Sequence, residues 1–152
     1  MNPTPFPLPG KPRETGVSGL FRLESKDLPA LQKAANELNM GFFSVDLQNA
    51  RNVPGFIKAL KRDLSFPNWF GGNLDALHDC LTDFSWHPAP GYVIALIGSD
   101  SLRANPTSFA TFNAVLSSAV GEWQKRSTPF RVFYVQDPLA PQPDPAKYPE
   151  MP

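Results

Sequence analysis

The sequence predicts an α/β protein: a small, mostly parallel β-sheet of three to four strands covered by helices. Two observations carry that expectation. Strand-like and helix-like segments alternate through the middle of the chain, and strands joined by helical crossovers pair in parallel. One segment, Gly91 to Gly98 (GYVIALIG), is an almost continuous apolar run bounded by glycines, the pattern of a central strand buried on both faces.

The other elements follow in order. Gly19 to Glu24 (GLFRLE) reads as a short strand. Asp27 to Asn39 puts Leu28, Leu31, Ala34, Ala35 and Leu38 on one helical face, with Pro29 tolerated in the first turn and Gly41 as the expected stop. Phe42 to Leu47 is a second strand, rich in aromatic and aliphatic side chains. Asn52 caps a helix whose buried face is Val53, Phe56, Ile57, Leu60 and Leu64, while Lys58, Lys61 and Arg62 point elsewhere as a small basic cluster. After Gly98, Asn105-Pro106 opens a long helix with Phe109, Phe112, Leu116, Ala119, Val120 and Trp123 at helical spacing, and Phe130 to Gln136 is the last strand.

The chain has 152 residues, enough for one domain with a proper core. Eleven of its eighteen prolines lie in the ends, and proline-dense segments join neither helices nor central strands. Residues 1–16 and 138–152 are therefore expected to be arms around a single domain, 17–137. Fourteen basic and fourteen acidic side chains cancel, so no global field draws the protein to nucleic acid or to an anionic membrane. Cys80 is the single cysteine, which excludes an internal disulfide and fits a reducing compartment. With no apolar run of membrane-spanning length and no basic-then-apolar leader, the cytoplasm is the expected location.

Chemistry concentrates in one stretch, Phe66 to Trp86 (FPNWFGGNLDALHDCLTDFSW). It opens as an aromatic loop, because Pro67 pushes Phe66 toward extended geometry and Gly71-Gly72 free the backbone. Asn73 then caps a helix whose apolar residues, Leu74, Leu77, Cys80, Leu81 and Phe84, recur on one side. Asp75, Asp79 and Asp83 follow at four-residue spacing, advancing about 40° per step into one column opposite that stripe. Like charges at this spacing repel, and Asp83 falls near the negative end of the helix dipole.

Catalytic motifs are missing: no phosphate-binding glycine loop, nucleophile elbow, paired-cysteine motif or zinc-spaced His-Glu pair is present. The protein is read as no enzyme, with no catalytic residue and no cofactor. His78 beside Asp75 and Asp79 has metal-ligand chemistry, but carboxylates stacked on one helix need ligands from a second element; Asp46 and Asp100 stand at strand ends where an α/β site would lie. An acidic column framed by Trp69, Phe70, Phe84 and Trp86 has the composition of a protein-binding surface aimed at a basic cleft. On pattern alone, a solvated helix face is an equal alternative.

The run from Phe66 to Thr82 resembles the signature of the barstar family, intracellular inhibitors of bacterial ribonucleases, and the resemblance extends more loosely from Phe42 to Gln136. It implies a barstar-like fold, with the strand and helix of 17–40 as an N-terminal extension. It also implies inhibition by plugging, the helix and its loop entering the cleft of a basic ribonuclease without binding nucleic acid directly. Carried over, Asp79 is the principal phosphate mimic and Asp75 a second acidic contact. Trp69 matches an aromatic of the binding loop, Gly71 permits close backbone approach, and Asn73, His78, Thr82, Asp83 and Phe84 fall along the contact surface. Glu122 on the last helix stands near the place of a further acidic contact, with Trp123 equally close. A barstar-like module that binds a different protein, or an immunity protein against a non-ribonuclease toxin, is the alternative. His78 replaces a larger aromatic of the family pattern, and Asp83 replaces a small residue.

Overall fold

The computed structural model describes residues 18–67 and 71–136. The proline-rich arms and Trp69 lie outside the described residues. Four strands, β1 (Gly19–Glu24), β2 (Gly41–Asp46), β3 (Tyr92–Ile97) and β4 (Phe130–Gln136), form one sheet in the order β1-β4-β3-β2, with every pairing parallel. The apolar run in β3 is central as expected, flanked by β2 and β4. Both central strands are buried along nearly their whole length, whereas the edge strands alternate between buried and open positions.

The helices are α1 (Leu28–Glu37), α2 (Val53–Asp63), α3 (Leu74–Leu81), α4 (Asp100–Arg103) and α5 (Pro106–Lys125). From β1 the chain crosses the whole sheet to β2, then returns through β3 to β4. Right-handed crossovers that run in opposite directions place their helices on opposite faces. Accordingly α1 stands on one face, its Leu31, Ala34 and Ala35 packed with Val93, Ala95, Phe133 and Val135. The opposite face receives Phe56 and Leu60 of α2, Leu77 and Leu81 of α3, and Phe109 to Trp123 of α5, against Tyr92, Ile94, Leu96, Val132 and Tyr134. Arg131 shares the α1 side of β4, and its burial pulls the guanidinium down to about 10.

Local chemistry explains the boundaries. Asn52, Asn73 and Asn105 each accept a hydrogen bond from the third backbone amide beyond, at 2.9, 2.7 and 3.3 Å, and so cap α2, α3 and α5. Helix α1 ends at Glu37, two residues before the expected Asn39, which itself turns the chain in the left-handed region at φ 59°; Gly41 instead opens β2. Helix α4, a single turn, was not legible in the sequence pattern; Asp100 belongs to its first turn and is exposed.

Strand β1 is bonded along its length to β4, so the N-terminal strand and helix share the sheet with the rest. Replacing Leu31, fully buried between α1 and the sheet, by Ala is expected to cost about 2–5 kcal/mol in urea unfolding while the transition remains single. A separate early transition would mean that β1 and α1 fold as a detachable extension.

Candidate functional site: the acidic helix and its fastening to the last helix

Helix α3 has eight residues, and its inward face is Leu77, Cys80 and Leu81, all buried. Asp75 and Asp79 are exposed on the outer side. Asp75 stands in the first turn, where the positive end of the helix dipole favours a carboxylate. The helix then ends earlier than its apolar spacing suggests: Thr82 is the C-cap, so Asp83 lies beyond the helix in the following turn. The expected column of three aspartates is thus two on the helix and one just after it.

The reason for the early stop is Phe84. It adopts φ 52° and is fully buried, its ring stacked on Tyr92 at 4.5 Å, Trp86 at 5.1 Å and Phe43 at 5.7 Å. The left-handed backbone turns this side chain into the core, where the burial of a large aromatic outweighs a strained φ of order 1–3 kcal/mol. Phe84 is therefore corrected from a contact-surface residue to a core residue. Trp86 is half-buried, donates its indole N–H to the Leu64 carbonyl at 3.3 Å and meets Phe66 edge-on at 5.7 Å, so the aromatic frame around the aspartates is largely structural.

The remaining expected residues divide by what they touch. Asn73 is exposed and its side-chain oxygen is used by the Ala76 amide. Gly71 is exposed, and a Cβ there would meet only Ala76 Cβ at 3.7 Å and Asn73 Nδ2 at 3.9 Å, an ordinary contact; the backbone demand for glycine falls on Gly72, at φ 79°. His78 is half-buried and turned toward α5, its Nε2 at 2.9 Å from Ser118 Oγ. The Thr82 hydroxyl donates to the helix itself, at 2.8 Å from the His78 carbonyl and 3.2 Å from that of Asp79. The Asp83 carboxylate accepts from the Ser85 hydroxyl at 3.0 Å.

Three residues of α5 and its C-cap, not singled out for this role by the sequence pattern, hold α3 in place. Trp123, buried, donates its indole N–H to the Leu81 carbonyl at 2.7 Å. The Arg126 guanidinium donates to the Thr82 carbonyl and lies over the Trp123 ring at 4.5 Å. Ser118 meets His78. A Trp followed three residues later by Arg at a helix end is the one signal in the sequence that such a stacked pair leaves.

The electrostatics of the face are simple. Among the described residues, Asp75, Asp79 and Asp83 form no ion pair. Three other surface carboxylates do have a cation: Glu24 pairs with Lys26 and Glu122 with Lys125, each at 3.3 Å, and Asp63 with Arg62 at 2.8 Å, a hydrogen bond that holds the Asp63 carboxyl below its usual range. The field of the face reaches inward, since burial first, then Asp83, then Asp79 push the Cys80 thiol up to about 11. No three His, Cys, Asp or Glu side chains among the described residues gather where they could hold a metal ion. A cavity of about 360 Å³ lies elsewhere, between the end of β2 and α2, lined among others by Asp46, Lys58 and Arg62. There Asp46 accepts from the Gln48 amide, and Arg62 is already bonded to Asp63.

Fold and site together define a small parallel α/β domain that presents an acidic helix whose aspartates form no ion pair among the described residues. The family model described as Barstar (barnase inhibitor) matches residues 40–135, and the chain belongs to that family. Among solved structures, the Aeropyrum pernix ORC2 protein in its ADPNP and ADP complexes is similar, with a TM-score of 0.57 and 14% identity over 79% of this chain and 35% of that one. This chain thus spans little more than a third of that protein, and the likeness is one of fold.

Two substitutions separate scaffold from face. Phe84→Ala is expected to lose about 3–5 kcal/mol of stability in denaturant unfolding, and Asp79→Ala to stay within about 0.5 kcal/mol of the parent. For the thiol the sign is fixed by a folded value above the unfolded one. Below about pH 9 the thiol is protonated in both states and pH has no effect through it. Between 9 and about 11 the unfolded chain ionises while the folded one keeps its proton, so stability falls. Cys80→Ala should flatten that fall, measured as midpoint against pH.

Proposed function

We propose that the protein inhibits a ribonuclease by inserting α3 and its preceding loop into the RNA-binding cleft, where carboxylates occupy the positions of phosphate. The observation that carries this reading is the exposed set Asp75, Asp79 and Asp83, which form no ion pair among the described residues, on a chain of the Barstar family. A surface helix that keeps repulsive charges unpaired loses stability by a few tenths of a kcal/mol per like pair, and a basic partner removes that repulsion.

In this reading Asp79 is the central phosphate mimic and Asp75 supports it from the first turn. Asp83 approaches from the turn beyond the helix, with Gly71, Asn73, His78 and Thr82 on the rim and Trp69 from the loop. Phe84 acts from within, by fixing where the helix ends. The protein works as a binding module and not as an enzyme, in the cytoplasm, a compartment suggested by its single buried thiol. No helix of the described residues is long and apolar enough to cross a membrane. The zero net charge favours a second reading, the same surface aimed at a toxin that is not a ribonuclease, because long-range steering toward a strongly basic enzyme is then weak.

Barnase is the first probe. RNA cleavage by barnase should be suppressed by the wild-type protein, and Asp79→Ala should weaken inhibition by roughly 30-fold or more, the range for truncating one partner of a buried charge pair. Inhibition should also weaken as salt rises. Equal inhibition by both proteins would contradict the assigned role of Asp79.

A further inference from the structure

We propose that Arg126 is a positioning residue for the acidic face, setting the place of Asp79 and Asp83 through the end of α3; the functional part of this proposal rests on the reading of that face as a partner-binding surface. An eight-residue helix does not hold itself in water, and its last carbonyls lack partners within the helix. Here the Leu81 carbonyl is taken by the Trp123 indole and the Thr82 carbonyl by the Arg126 guanidinium. The two donors form one unit. The indole is fixed in the core against Phe130, stacked at 5.7 Å with 12° between the planes, and the guanidinium is fixed on the indole.

The charge of Arg126 makes the proposal testable by sign. Among the described residues it forms no ion pair, although the carboxylate of Asp83 belongs to the residue next to its acceptor. As a mere charge, a cation beside an acidic face weakens the pull on a basic partner, and its removal should speed association and tighten binding. As a positioning group, its removal frees the Thr82-Asp83 turn and loosens binding, although the face becomes more negative. Lysine keeps the charge but loses the planar stack and the fork of donors.

The test compares wild type, R126A, R126K and D79A in two measurements. The first is amide hydrogen exchange of the free proteins. R126A and R126K should exchange about tenfold or more faster at Thr82 and Asp83, whose amides bond to the His78 and Cys80 carbonyls, with β3 and β4 unchanged. D79A should exchange as wild type. The second is association and dissociation with barnase at low and high salt, where R126A should associate at least as fast as wild type and dissociate about tenfold faster. Unchanged exchange at Thr82 and Asp83 in R126A, tighter binding by R126A, or R126K indistinguishable from wild type in exchange would each overturn the proposal. If wild type does not bind barnase, that result counts against the ribonuclease reading, and the exchange measurement alone decides the role of Arg126.

Discussion

The stacking of Phe84 on Tyr92 is the contact on which the arrangement of the site depends. At 4.5 Å between ring centres and 21° between planes, it ties the turn that follows the acidic helix to the first residue of the central strand β3. Trp123 and Phe130 close around the same ring at 6.3 and 6.1 Å, so one aromatic side chain joins α3, the sheet and α5. A left-handed backbone at a large aromatic is unfavourable by itself. It persists because the ring it delivers is fully buried.

From that anchor follows a separation between what folds the protein and what it shows to the outside. The inward residues of α3 are apolar and buried, and the end of the helix is bonded to side chains of α5. Nothing in the core needs the carboxylates of Asp75 and Asp79. Surface charges that contribute nothing to folding, yet form no ion pair among the described residues and stand on a helix held from behind, are preorganised, and less ordering then remains to oppose binding. Membership in the Barstar family gives this geometry its most economical meaning.

Much of the fold was legible because it rests on local rules. The central apolar strand, the three asparagine caps and the alternation of strands and helices are each read from a few neighbouring residues. What escaped was set by distant contacts. Helical spacing carried α3 on to Phe84, while the core drew Phe84 out of the helix, so Asp83 left the column; the burial of Phe84 agrees with its apolar spacing and removes it from the contact surface that the family resemblance implied. The spacing of Gly41 suggested a helix stop, but Asn39 already supplies the left-handed turn. Asp75 and Asp79 were found exposed as their helical positions require. The fastening by Ser118, Trp123 and Arg126 joins residues about 40 positions apart, and no periodicity within one helix reports it. The family match begins at residue 40, whereas β1 is a full member of the sheet, bonded to β4.

The central claim is that the acidic face occupies the place of phosphate in a ribonuclease cleft. Competition tests it most directly: the affinity of the protein for barnase is measured with increasing amounts of a nucleotide 3′-monophosphate that fills the cleft. The account predicts that apparent affinity falls in proportion to nucleotide occupancy, with no ternary complex. Binding undiminished at saturating nucleotide would place the contact outside the cleft and contradict the account.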